Sequence, residues 1–524
     1  MITDTSIYQY AKQNQSTKIR RIALRYYGNA VSFGDLFLNI DNFADHLYAL
    51  GVGQGTVVTL HLPNCPQAVI ALYAVAKLGG ICNMVHALTP PDALRDNLRL
   101  TRSSLLITHR EDCARLDDRA LLVDISHFMG AVTKTLYRAK TGKIHSDAMR
   151  FEKLLKPCTE KARIPVQESL ANECAVYLHS SGSTGKPKTI LLSHSALNNC
   201  VDNTEEFFEH GDMQLQVSLG VLPSFHGFGL AMDVHRNVTF GSCLVMMLRW
   251  NAKTAVKLIK KHGVTLMVGV PTMYHALLQE PGFRGKRIRQ LSQCYVGGDN
   301  VAPSLAEAFD VRVGRNHCLL PGFGLTEATT CNCVNTFAHY KPGSAGYPVR
   351  NTTIAVDVEG EGLRSTGTGE LVISSKTLMM GYLHDPAATE ATLFEQDGKQ
   401  WVRTGDFVQI DEEGFLFFKN RVKDIIIHNG YNVYPIQVEN VIRQVPGVAA
   451  VCVVGVPDPI LHTQDVKAVL VLEEQAQPQL VQAAVKEECL RLLPRYACPK
   501  RIVITDDLPR NAMGKIDRKG LVDL

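Results

Sequence analysis

Nine residues, Ser180-Ser181-Gly182-Ser183-Thr184-Gly185-Lys186-Pro187-Lys188, place two glycines, four hydroxyls and two lysines in one short segment. That is the chemistry of a phosphate cradle: glycines let successive backbone N–H groups face one anion, hydroxyls add neutral donors and lysines cancel charge. The Walker P-loop puts four residues between its glycines, then Lys and Ser/Thr, and runs directly into a helix. Here only Ser183 and Thr184 separate the glycines, and Pro187 occupies the position of the metal-binding hydroxyl. The following Thr189-Ile190-Leu191-Leu192 reads as a short apolar strand, with Ser193 as cap of the next helix. The spacing predicts a strand-loop-strand phosphate site.

Such a loop needs a framework. From Thr56 to about Leu320, β-rich runs alternate with helical segments: Val57 to Leu60 before Ala68 to Lys77, Ser104 to Thr108, Cys243 to Leu248, Val264 to Val270. This alternation predicts an α/β fold of helix-covered, mostly parallel sheets. Between about 343 and 418 short strands and glycine turns take over, as in Gly369 to Ser374, predicting a small β-barrel subdomain. After Asn420 mixed strands and helices resume, enough for a small mobile α+β domain. The expected division is a large domain at 1–420 and a lid at 421–524, with a hinge at 419–424.

The 524 residues exceed what one core usually supports. With 20% charged residues and a formal net charge of +4, no electrostatic case exists for a nucleic-acid partner. The start, Met1 to Thr5, lacks the pattern of a signal peptide, and Lys77, Gly79 and Gly80 interrupt the most apolar segment, Val69 to Val85. A cytoplasmic protein without stable membrane insertion is expected. The basic stretch Lys134 to Lys143, following Phe128, Met129 and Val132, reads as a solvated face, with a membrane-touching helix as the alternative. The fourteen cysteines lack paired spacing and read as buried reduced thiols.

Six further segments join the phosphate loop: Leu222 to Gly227, Gly269 to Thr272, Gly322 to Glu327, Trp401 to Asp406, Asn420 to Tyr434 and Pro509 to Arg518. Each alone has a plain reading; Thr404-Gly405-Asp406 by itself is a turn, and His226 a loop histidine. In this order, along essentially the whole chain, the set resembles the acyl-adenylate-forming ligases (AMP-binding enzymes), most closely bacterial acyl-CoA synthetases. The resemblance implies ATP, Mg²⁺ and coenzyme A as reaction partners. It implies that Ser181, Gly182, Ser183, Thr184, Gly185, Lys186 and Lys188 hold the phosphates, and that Gly322, Phe323 and Gly324 line the adenine, with Phe323 stacked on it. Thr326 would touch the α-phosphate and Glu327 would hold Mg²⁺. Asp406 and Arg421 would meet the ribose, and Lys515 would bridge carboxylate and α-phosphate. Lys423 resembles the hinge position, Gly430 would line the pantetheine tunnel, and His226 would flank its inner end.

The acid pocket expected from these segments is largely apolar: Phe225, Phe228, Val270, Met273, Gly297, Gly298 and Leu320. The family's amino-acid activators carry aspartate where His226 stands, so an amino acid is disfavoured. A medium or long fatty acid is expected, with an aryl acid as the alternative and a carrier protein as the alternative thiol acceptor. Luciferase-like oxidation and non-catalytic sensing are the more remote classes. Thr189, Asn420 and Pro321 depart from the family's usual residues, and none of these removes a charged catalytic group.

Overall fold

The computed structural model describes residues 4–15, 19–141, 147–158, 170–180, 188–207, 216–299, 301–358, 360–428, 431–458, 463–510 and 516–524. Contacts divide the chain into two compact units, residues 1–354 with 373–402, and residues 355–372 with 403–524. The architecture is α/β, with mostly parallel sheets and a small α+β C-terminal part, as the alternation of strand and helix patterns predicts.

The first unit holds two large sheets. One runs in the order Gly381–Tyr382, Lys188–Ser193, Cys174–Ser180, Ile81–Met84, Val57–His61, Leu105–Thr108, Leu121–Leu122 and Met149–Arg150. It is parallel from Cys174–Ser180 to its far end. The edge that carries the ends of the 180–188 segment is antiparallel, where Ser180 pairs with Lys188 and Tyr382 with Ile190. The ends of the loop are therefore held by a ladder. Ser193 caps the following helix, His194–Asn203, by accepting from the N–H of Ala196.

The second sheet carries the other motifs of this unit, in the order Tyr347–Pro348, Cys333–Val334, Leu319–Phe323, Gln293–Val296, Leu266–Gly269, Val217–Gly220, Cys243–Met246, Ile22–Tyr26 and Asn29–Ser32. From Leu319–Phe323 to Ile22–Tyr26 its neighbours are parallel. The strands Leu266–Gly269 and Gln293–Val296 are buried on both faces, as continuous apolar runs between helices must be. The C-terminal ends of three neighbouring strands therefore lead into Val270, Gly297 and Gly324, the usual placement of ligand loops in parallel sheets.

After Thr352 the strands pair antiparallel: Val356–Val358 with Gly362–Arg364, Leu393–Gln396 with Lys399–Val402, and Asp406–Ile410 with Leu416–Arg421. In the second unit, Val448–Asp458 pairs antiparallel with Thr463–Leu472, which pairs parallel with Arg501–Ile504. The helices Pro435–Ile442 and Pro478–Leu492 bury Val438, Ile442, Val481 and Val485 against Val453, Ala468 and Leu470. None of the fourteen cysteines, all within the described residues, is in a disulfide, and twelve are buried.

Candidate active site

In the first unit the chemistry gathers around a turn at Thr326–Ala328, which follows the strand Leu319–Phe323. Backbone bonds set its shape: Ala328 and Thr330 N–H both donate to Leu325 O, at 3.2 and 2.8 Å. Thr329 and Thr330 are held at φ of 48° and 78°. Left-handed backbone is strained for β-branched residues and persists only where the surroundings over-determine it. Those surroundings are visible: Thr329 Oγ1 donates to Thr377 O at 2.7 Å, and Thr377 Oγ1 to Ala328 O at 3.0 Å. Gly324 is required by close approach, since a Cβ there would fall 1.1 Å from Thr330 O.

The segment 377–382 thus straps the turn, and Met379 N–H donates to Glu327 O at 2.8 Å. Its end brings Tyr382 to the motif residues. The Tyr382 hydroxyl donates to Glu327 Oε1 at 3.0 Å, and the Lys188 ammonium lies 4.3 Å from the centre of the Tyr382 ring. Burial, then the Glu327 charge, raises the Tyr382 pKa, so this hydroxyl keeps its proton. Lys188 and Glu327, distant in sequence, share one tyrosine that sequence reasoning missed. The only local signal is Gly381-Tyr382 after an apolar run.

Phe228, Val270, Met273 and Leu320 lie in one apolar cluster with Tyr295 and Leu222. A Cβ on Gly297 would sit 3.8 Å from Phe228 Cε1, and one on Gly298 would sit 3.5 Å from Val270 Cγ1, so both glycines border this wall. Phe225 is not in that cluster. It belongs to the core around the other sheet, its ring 4.5 Å from His86 and 4.9 Å from His226. His226 is half-buried at the start of a helical turn, its carbonyl accepting from Leu230 N–H at 2.8 Å.

Two buried side chains outside every motif hold this loop. Asn64 donates to Leu222 O at 2.9 Å and accepts from Ser224 N–H at 2.9 Å. Asp233 Oδ2 accepts from Val221 and Leu222 N–H at 3.1 and 3.0 Å. Asp233 stands on a buried π-helical turn, Gly229–His235, a distortion frequent near functional sites. Burial pushes its carboxyl up to about 8, against the two N–H donors and the Arg236 charge.

In the second unit Asp406 is 1% exposed and pairs with Arg421, whose Nε lies 2.8 Å from Asp406 Oδ1. The two face each other across the antiparallel ladder. Thr404 Oγ1 donates to Leu371 O at 2.8 Å and accepts from Asp406 N–H at 3.1 Å, which fixes the Thr404–Asp406 turn. Ser181, Gly182, Ser183, Thr184, Gly185, Lys186, Gly430 and Lys515 lie outside the described residues, as does the side chain of Lys423. The base of the segment carrying Lys515 is described: Arg510 bridges to Ile516, and Asp517 N–H donates to Pro509 O at 2.8 Å.

A sheet-edge hairpin at the ends of the glycine- and lysine-bearing 180–188 segment, a turn bearing a hydroxyl and a carboxylate, and, in the second unit, a buried carboxylate paired with arginine are the kinds of group a nucleotide-handling enzyme requires. The chain belongs to the AMP-binding enzyme family: the model of the AMP-binding enzyme matches residues 10–383, and that of the AMP-binding enzyme C-terminal domain matches 437–515. It is 30% identical over 530 residues to a long-chain-fatty-acid–CoA ligase of Bacillus subtilis, covering 96% of this chain and 91% of that one. It is 31% identical over 502 residues to a feruloyl-CoA synthase of Amycolatopsis sp, covering 94% of each. The O-succinylbenzoate coenzyme A synthetase of Bacillus subtilis, solved with ATP and magnesium ion, superposes with a TM-score of 0.80 over 98% of both chains at 25% identity.

Proposed function

We propose that this adenylate-forming CoA ligase activates a medium- or long-chain fatty acid as acyl-AMP, releasing pyrophosphate, and then transfers the acyl group to coenzyme A. The observation that carries the acid class is the continuous apolar wall of Phe228, Val270, Met273 and Leu320 beside Gly297 and Gly298. An aryl acid is the second reading, favoured by the 31% identity to a feruloyl-CoA synthase.

ATP, Mg²⁺ and coenzyme A are the reaction partners. Both reactants of the first step are anions, so the chain must neutralise and align them. Lys188, with Lys186 and the hydroxyls of Ser181, Ser183 and Thr184, meets the phosphates that leave. Phe323 stacks on adenine, Asp406 accepts from the ribose hydroxyls, and Arg421 adds a cation beside it. Thr326 reaches the α-phosphate, where Lys515 bridges to the acid. At about 4 Å and an effective dielectric of about 20, one such unit-charge contact is worth roughly 4 kcal/mol. Glu327, sharing Tyr382 with Lys188, offers the anionic oxygen a hard divalent cation requires next to phosphate. When bound, Mg²⁺ supplies charge neutralisation on the phosphate oxygens. The 421–524 lid, pivoting at 419–424 about Lys423, carries Lys515 in for adenylation and Gly430 in for thioester formation, with His226 at the tunnel's inner end. The protein acts in the cytoplasm; among the described residues no helix is long and apolar enough to cross a membrane.

The test is pyrophosphate release with a panel of fatty, aryl, short polar and amino acids, with and without coenzyme A. Fatty acids should give the highest kcat/KM and a coenzyme A thioester. Preference for feruloyl-type acids would replace the fatty-acid reading, and turnover indifferent to coenzyme A would point to a carrier protein. Light emission with luciferin and oxygen, or adenylation of nothing in the panel, would remove the ligase reading.

A further inference from the structure

Tyr382 stands between two charged residues of the site for reasons that begin in the backbone. Gly381 and Tyr382 pair antiparallel with Leu191 and Ile190, and Leu383 N–H donates to Thr189 O at 2.9 Å. Opposite Ile190, Tyr382 shares a face with residue 188, two positions along, which is the diagonal neighbour in such a ladder. On the other side, Met379 N–H to Glu327 O ties the same strap to the Thr326–Ala328 turn. Strand register therefore delivers one phenol to a lysine and a glutamate 139 residues apart (327 − 188).

From this arrangement we infer that Tyr382 is a positioning residue that keeps the Lys188 ammonium and the Glu327 carboxylate as two separate, usable charges. The inference rests on the roles proposed above for those two residues. A lysine and a carboxylate converging on one site attract, and an ion pair presents neither full charge to a ligand. Tyr382 gives each a different surface. The ring face attracts the ammonium without neutralising it, and the hydroxyl donates to the carboxylate without cancelling its charge. Lys188 then stays available to phosphate oxygens, and Glu327 to a divalent cation.

The two surfaces can be removed separately. Tyr382→Phe keeps the ring and loses the hydroxyl; Tyr382→Leu loses both. ATP affinity is measured by calorimetry in EDTA, and the Mg²⁺ concentration at half-maximal pyrophosphate exchange is measured beside it. Tyr382→Phe should leave ATP affinity in EDTA unchanged and raise the half-saturating Mg²⁺ about tenfold, the loss of one hydrogen bond to a charged group. Tyr382→Leu should also weaken ATP binding in EDTA by about threefold or more. A tyrosine that merely fills space would lower the thermal midpoints of both variants and leave the Mg²⁺ requirement unmoved, and that result overturns the inference. Equal ATP affinities of the two variants in EDTA also overturn it. Glu327→Gln and Lys188→Ala separate the two kinds of failure. If they leave the Mg²⁺ requirement and ATP affinity at wild-type values, the assigned roles of those residues fall and the inference falls with them. If they shift while the Tyr382 variants do not, the inference alone fails.

Discussion

Replacing Asp233 with asparagine should change how stability depends on pH. In the folded protein Asp233 is 2% exposed, and burial holds its carboxyl at about 8 instead of 3.8, with Arg236 offsetting part of the shift. Between those values the unfolded chain has released the proton and the folded chain has kept it. Folding then takes up a proton, so stability is fullest below about pH 4 and falls as pH rises towards 8. One proton corresponds to about 1.4 kcal/mol per pH unit, and a window of about four units sets an upper limit of roughly 6 kcal/mol. Asparagine keeps an oxygen to accept from Val221 and Leu222 N–H but does not titrate. The wild-type protein should therefore lose stability relative to Asp233→Asn steadily from pH 4 to 8, with no further change above. Urea midpoints between pH 4.5 and 8.5, with amide exchange at Val221 and Leu222, measure the difference. His235 and His194, held by burial at about 3 and about 4, act in the opposite sense below pH 6.5, but both proteins carry them. Parallel curves for the two proteins across pH 5 to 8 would refute the argument.

Two substitutions test the proposed nucleotide contacts. Lys515→Ala should lower pyrophosphate exchange about a hundredfold or more while thermal unfolding stays unchanged, and wild-type exchange would remove its assigned role. Asp406→Asn should raise the KM for ATP about tenfold or more by weakening charge-assisted bonds, and leave the KM for the acid near its original value. A matched rise in both would mean that the turn at Thr404 had been disturbed instead.

The sequence made the framework legible because period and punctuation are local. Asn251 caps the helix Ala252–His262 with its side chain, Gly263 ends it at a positive φ open to glycine, and Pro271 opens the helix Pro271–Gln279. The charged groups were legible for another reason: Lys188, Glu327, Asp406 and Arg421 stand in segments that read plainly one at a time and resemble a family only as an ordered set. Tyr382 was not, since its importance comes from a ladder register and from a partner 55 residues away. Asn64 reaches Leu222 across 158 residues, and no periodicity reports such a bond. Phe225 illustrates the converse. Its neighbours Leu222 and Phe228 belong to one apolar cluster while Phe225 belongs to another, because the chain reverses there and adjacent side chains part.

The left-handed threonines at 329 and 330 have a consequence for selection. At Thr330, glycine or asparagine would adopt φ of 78° with less strain, an easy gain of about 1 kcal/mol for thermal tolerance, whereas at Thr329 the same change gives up the buried bond to Thr377 O. That gain would come from the rigidity of the turn carrying Thr326 and Glu327. A library screened for heat resistance alone should drift at position 330 early, and activity should decline before the fold does.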